Sequence, residues 1–328
     1  MGRARSTLAF VCALYYASQY RLYAKASTVV SRHPDRRFAF LYALGYTSYR
    51  KTYTGTNEVK GLALRPSTSR FLARHPVFRL EEFRAAFGHR TSDETVRTRI
   101  KQFLASGRLK LISAGVYAVT PPGEDPATFA PDPLLAASRL TRDSVLAYHS
   151  AFEALGYANQ VFSRTTYLTP GHRRERRLGA QTFVPVAPPK RLAKRWRDLG
   201  VETLHRQGLP LTATCRERTL VDCLHRPAHS GGLEELLACA AAVPSVDLEV
   251  LVGYLLALTS PTVVARAGFL LERFSDRWLL PDGWQDRLAP HLPKSPAYLL
   301  RRESGNVLVR RWQLLVPDSA LHEESPLR

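Results

Sequence analysis

From residue 67 onward the chain alternates apolar stripes of helical period with apolar runs of strand length, whereas residues 1–66 sustain neither period. Phe71 and Leu72 fall in a short helix ending near His75-Pro76, and residues 77–80 lead into a second helix whose Phe83, Ala86 and Phe87 share one face. Gly88 ends it. Thr91 and Glu94 match the T-x-x-E capping box, in which each side chain satisfies the other's orphan amide, so a third helix is predicted to begin here. Its Val96, Ile100, Phe103 and Leu104 lie on one stripe, and Gly107 closes it. Two strand-like runs, 108–113 and 116–120, then flank a tight turn at Ala114-Gly115. Helices joined by a short turn and followed by a hairpin make the plan of a winged helix-turn-helix.

The Pro/Gly-rich stretch 121–126 reads as a linker, and its composition predicts two independently folding parts on either side. Beyond it, helical patterns at 132–140, 144–155, 216–225, 232–242, 248–258 and 262–274 mix with strand-like runs at 165–169, 181–186, 201–205, 209–214, 297–302 and 307–316. The predicted fold class is α+β: a winged helix over 67–120, a larger mixed α/β domain over 126–320, and a non-globular extension over 1–66.

Charge sharpens that map. The 328 residues hold 47 Lys and Arg against 28 Asp and Glu, a formal net charge of +19 that points to polyanionic partners. Residues 1–66 carry 11 basic and two acidic residues, 67–120 carry ten and four, and the remaining two thirds are nearly balanced at 26 and 22. The extension also holds eight of the 14 tyrosines. Arg3 and Arg5 ahead of the apolar run 8–17 imitate a secretory signal; a basic arm lying on nucleic acid, and an appendage from a start codon placed too far upstream, are the other readings. Four cysteines, Cys12, Cys215, Cys223 and Cys239, form no CxxC pair and fit a reducing cytoplasm. No apolar run approaches the roughly 18 residues of a spanning helix, so no membrane partner is expected.

The third helix turns Glu94, Thr98, Lys101 and Gln102 away from its apolar stripe, with Arg97 and Arg99 on the flanks and Thr95 near its start. Such side chains suit base edges and phosphates, and the wing adds Arg108 and Lys110, so these residues form the candidate DNA-binding set. Arg173, Arg174, Arg176 and Arg177 sit between two strand-like runs and are candidates for an auxiliary phosphate contact; a second basic run covers 190–197, where Trp196 is expected to pack rather than stack on a base. No phosphate loop, dinucleotide fingerprint, HExxH or GxSxG motif is present, and neither an enzyme nor a cofactor is expected. Cys215, Cys223, His225 and His229 match no zinc spacing, and the helical pattern around them favours half-buried core. His149, Ser150 and Glu153 on one helix cannot easily assemble a triad, and Glu153, Glu217 and Asp222 would serve a metal-dependent nuclease only if the fold made them converge.

The order of segments resembles the AbiEi antitoxins of type IV toxin-antitoxin systems, which act in abortive phage infection. The likeness runs from about residue 68 to 320. Its wing is Leu109-Lys110-Leu111-Ile112-Ser113-Ala114-Gly115-Val116-Tyr117, similar to the family's "L..v.rGvY". Its middle is Tyr148-His149-Ser150-Ala151-Phe152-Glu153-Ala154-Leu155-Gly156-Tyr157. Then come the basic hairpin, residues 216–224 and Gly231-Gly232-Leu233-Glu234-Glu235. The end is 298–301 joined to Trp312-Gln313-Leu314-Leu315-Val316-Pro317. The resemblance implies a repressor that binds double-stranded DNA at inverted repeats upstream of its own operon. It also implies a C-terminal domain that counteracts a nucleotidyltransferase-like toxin without forming a stable complex with it. The competing expectation is a stand-alone winged-helix transcription factor that senses a ligand.

Overall fold

A computed structural model describes residues 66–87, 91–171, 174–300 and 305–322. The readings made for residues 1–65, Gly88, Arg173 and the 301–302 end of a predicted strand lie outside the described residues.

The front of the chain runs α1 (Pro66–Arg74), β1 (Val77–Arg79), α2 (Leu80–Phe87), α3 (Asp93–Ala105), β2 (Leu109–Ser113) and β3 (Val116–Val119). The sequence pattern treated 77–80 as a lead-in to a helix. Here Val77 and Phe78, β-formers following a proline, pair antiparallel with Ala118 and Tyr117 and make a three-stranded sheet of order β1-β3-β2. The turn between β2 and β3 places Gly115 at φ 76°, where its carbonyl accepts the Leu80 amide at 2.8 Å and so clamps the hairpin to the start of α2. Aromatic rings fill the space beneath. Phe71 packs edge-on to Phe78 and Phe83 with centroids 5.3 and 5.2 Å apart, and Phe83 lies 4.8 Å from Phe87. Val96, Ile100 and Phe103 of α3 are buried, as its stripe required.

The cap of α3 differs from the expected one. Ser92, in extended backbone, is the N-cap, and its Oγ accepts the Thr95 amide at 3.3 Å. Thr91 stands one residue too early to reach that amide, so the T-x-x-E match is out of register with the helix.

The larger part comprises α4 (Pro133–Leu140), β4 (Val145–Leu146), α5 (His149–Leu155), β5 (Arg164–Leu168), β6 (Arg176–Leu178), β7 (Gln181–Val186), β8 (Val201–Arg206), β9 (Leu209–Thr214), α6 (Arg216–His225), α7 (Leu233–Ala242), α8 (Leu248–Ala257) and α9 (Pro261–Arg273). Six strands form one mixed sheet, β6-β7-β5-β4-β9-β8, with parallel pairs β7–β5 and β4–β9 and antiparallel pairs between the others. The predicted helix 144–155 is split, because Tyr148 takes φ 57° and ψ −141° and divides a short central strand from α5. Alternation across the pleat feeds two cores. Leu146, Tyr167 and Phe183 face α4, while their neighbours Val145, Leu168 and Val184 face α6 to α9. With both faces covered, these strands read as nearly continuous apolar runs.

A third sheet, again three-stranded, closes the described chain: β10 (Ala297–Tyr298), β11 (Asn306–Val309) and β12 (Leu314–Pro317), in the order β10-β12-β11, followed by α10 (Asp318–His322). The predicted strand 307–316 is folded back on itself. A 3₁₀ turn at Arg310–Trp312 and Gln313 at φ 49° reverse the chain, so its two ends pair antiparallel. Trp312 is buried against Gly268 of α9 and stacks on Trp284 at 5.6 Å.

The described residues from Arg70 onward make one compact unit. The stretch 121–126 joins two parts that share a core, since Val77, Ile112, Val116 and Ala118 of the front sheet pack in one cluster with Leu134 to Ala137 of α4. Polar contacts cross the same seam. Arg79 donates from Nε to the Arg139 carbonyl at 2.8 Å and from its terminal nitrogen to the carbonyls of Ser138 and Thr141, which tops the C-terminal end of α4 with a cation. Among the described residues no helix is long and apolar enough to cross a membrane.

Candidate nucleic-acid interface

α3 is amphipathic and its apolar stripe is consumed by the core, so what remains is one continuous polar face. Thr95, Arg97, Thr98, Lys101 and Gln102 are exposed on it, and Arg99 is half-buried at its margin. Among the described residues no side-chain hydrogen bond or ion pair engages Arg97, Thr98, Lys101 or Gln102, whereas the Thr95 hydroxyl lies 2.9 Å from the Ser92 hydroxyl and helps to hold the cap. Asp93 at the helix start pairs with Arg84 of α2 at 3.4 Å. The face therefore combines two flexible cations with two neutral side chains able to donate and accept hydrogen bonds, on a helix tied down at its first turn and along its buried side.

The wing residues divide. Arg108 precedes β2 and is half-buried. Lys110 is occupied: its Nζ donates to the carbonyls of Phe129 at 2.6 Å and Ala127 at 3.2 Å, so its charge holds the 127–129 segment against β2. On the six-stranded sheet, Arg174, Arg176 and Arg177 are exposed, the last two on the edge strand β6, where Arg176 lies opposite Phe183 and Arg177 opposite Thr182. Arg164 pairs with Glu175 at 3.1 Å between them. In the run 190–197, Leu192 and Trp196 are buried at i and i+4, which leaves Lys190, Arg191, Lys194, Arg195 and Arg197 on the outside.

The other constellations do not assemble. The Ser150 hydroxyl accepts the Thr166 amide at 2.8 Å, and His149 Nε2 meets Glu235 rather than Ser150. Glu217 accepts the Asp247 amide at 3.0 Å, and Asp222 is held between Arg218 at 3.2 Å and the Tyr254 hydroxyl at 2.6 Å. Glu153 lies in the field of Arg206 and Asp132, and burial pushes its carboxyl up to about 7. Glu217 and Asp222 serve separate anchoring networks, and among the described residues neither they nor Glu153 belong to a cluster of potential metal ligands. Burial also raises the thiols of Cys215 and Cys223, as it does for cysteines in a core. Among the described residues, three metal-ligating side chains converge at one place that the sequence did not point to: His149, Glu235 and Cys239, whose ligand atoms lie within 4.8 Å of one another.

No protein-family model matches the chain, and no curated protein matches it. A solved structure does: the crystal structure of the RV2827C protein from Mycobacterium tuberculosis is similar with a TM-score of 0.51 at 24% sequence identity, over 78% of this chain and 93% of that one. At this identity the likeness is one of fold.

Proposed function

We propose that the chain is a double-stranded-DNA-binding antitoxin of the AbiEi type, which represses the operon encoding it and counteracts a nucleotidyltransferase-like toxin made alongside, in the cytoplasm and without a catalytic reaction of its own. The observation that carries the DNA half is the exposed face of α3, with Arg97, Thr98, Lys101 and Gln102 on a capped helix beside a β-hairpin. Helix, strand, helix, helix and hairpin in that order, with the sheet order β1-β3-β2, supports the winged-helix reading, in which the third helix would enter the major groove. Arg97 and Lys101 are assigned to phosphates, Thr98 and Gln102 to base edges, and Arg174, Arg176 and Arg177 to an auxiliary backbone contact. Lys110 leaves this set because its ammonium is satisfied inside the chain.

The antitoxin half rests on the segments that carry the resemblance to the AbiEi family. Two of them, 148–157 and 231–235, meet directly through His149 and Glu235, at 2.8 Å.

Binding of the full chain to its own upstream DNA, measured across a salt series, tests the first half. The triple variant Arg97→Ala, Lys101→Ala, Gln102→Ala is expected to lose specific binding, and Lys101→Ala alone to weaken it with a salt slope shallower by about one. Undiminished operator binding by the triple variant removes α3 from the site. Growth on co-expression with the adjacent gene tests the second half: rescue supports the antitoxin, whereas operator binding without rescue leaves the ligand-sensing regulator.

A further inference from the structure

Glu235, on α7, is a carboxylate only 2% exposed. Its Oε1 accepts the amides of Asn159 and Gln160, both at 3.0 Å, and faces His149 Nε2 at 2.8 Å and Cys239 Sγ at 3.2 Å. His149 Nδ1 is buried and has no hydrogen-bond partner among the described residues. Among the described residues no Lys or Arg pairs with Glu235, and a buried carboxylate without such a partner is a site that a bound cation relieves.

We propose that His149 Nε2, a Glu235 carboxylate oxygen and the Cys239 thiolate bind one divalent cation of the zinc class. Bonds of about 2.0 Å to nitrogen and oxygen and about 2.3 Å to sulfur set ligand atoms roughly 3.3–3.8 Å apart around a tetrahedral ion. His149 Nε2 and Cys239 Sγ lie 2.8 and 3.2 Å from Glu235 Oε1, so moving both away from it by tenths of an ångström makes room, in a cluster whose ligand atoms lie within 4.8 Å of one another. A thiolate beside an imidazole selects zinc over magnesium or calcium. The charges also close. With a neutral imidazole, an ionised carboxylate and a protonated thiol as the starting state, the cation brings two positive charges and the Cys239 thiol releases one proton to solvent, so a cluster of charge minus one becomes neutral, the imidazole binding through Nε2 with its proton on Nδ1. Access is short, because Asn159 and Gln160, which donate to Glu235, are themselves exposed. Phe162 covers the cluster with its ring 4.5 Å from that of His149, and it fits only because residue 231 is glycine at φ 84°, where a Cβ would lie 2.6 Å from the Phe162 ring.

The full chain, stripped with a chelator and titrated with Co²⁺ as a spectroscopic substitute for zinc, tests the proposal. The expected result is one Co²⁺ per chain with a thiolate charge-transfer band and tetrahedral ligand-field bands, both abolished by Zn²⁺. Cys239→Ser should lose the charge-transfer band and Cys215→Ser should keep it. Glu235→Gln retains the shape of the side chain, and its Co²⁺ affinity should fall by more than the roughly tenfold to hundredfold that losing a supporting partner costs. Absence of the bands, or their survival in Cys239→Ser, overturns the site and leaves a hydrogen-bonding hub. A melting temperature indifferent to Zn²⁺ overturns it as well.

Discussion

At Gly268 two opposing effects act on one position, and their sizes decide which wins. A glycine inside a helix costs about 1 kcal/mol relative to alanine. A Cβ at 268 would lie 2.1 Å from Cε3 of Trp312, a ring only 1% exposed that also stacks on Trp284, so it has little room to retreat. Overpacking of this kind costs about 1–3 kcal/mol. Gly268→Ala is therefore expected to lower the urea midpoint rather than raise it. Glu153 offers a signed pH dependence. Its carboxyl is raised from 4.5 to about 7 by burial, against the pull of Arg206 and with the push of Asp132. Between those two values the unfolded chain is ionised while the folded one still holds the proton, so this group's contribution falls as pH rises from about 4.5 through about 7. Glu153→Gln should stabilise the fold above pH 7 by up to about 3 kcal/mol and have little effect near pH 4. A stability difference that is flat with pH sinks the assignment. Residue roles of this sort were not legible in the sequence. The His149, Glu235 and Cys239 cluster joins two helices distant in the chain, and no local spacing announces it.

Whole elements were easier to read where their cause is local. α6, with its bounds Arg216–His225, and the strands β7 and β9 follow from contiguous apolar patterns, and the stripe of α3 matches its buried side. The misreadings have a common origin in backbone conformations that hydrophobicity does not encode. Tyr148 at φ 57° cuts a strand out of a helical pattern, Gln313 at φ 49° turns one apolar run into a hairpin, and β1 exists because β3 is there to pair with it. The register of the α3 cap carries its own prediction. Ser92→Ala removes the acceptor of the Thr95 amide and is expected to cost about 1 kcal/mol, whereas Thr91→Ala, one residue away, should cost much less. Equal losses from the two changes restore the T-x-x-E box. Thermal melts of the two single variants decide it.

For the molecule as a whole, composition pointed to a linker at 121–126, but it could not reveal that side chains on the two sides of that linker share one core. Val77, Ile112, Val116 and Ala118 pack in one cluster with α4, and cutting at 121–126 would present both surfaces to water. The compact unit that begins at Arg70 is expected to unfold in one cooperative transition, with equal calorimetric and van't Hoff enthalpies. Leu135→Ala on α4 should destabilise that whole transition by about 2–5 kcal/mol. Two resolved transitions, with only one of them shifted, would establish independent halves. Arg79 extends the argument to assemblies. Its guanidinium fixes β1 of the front sheet, against which α3 packs, to the end of α4. On the DNA reading, two copies on an inverted repeat then sense the phase of the double helix as strictly as its letters. Each inserted base pair turns one half-site by about 34° relative to the other, and a rigidly mounted helix cannot follow. Arg79→Ala should broaden the range of half-site spacings that are tolerated while leaving affinity for a single half-site nearly unchanged.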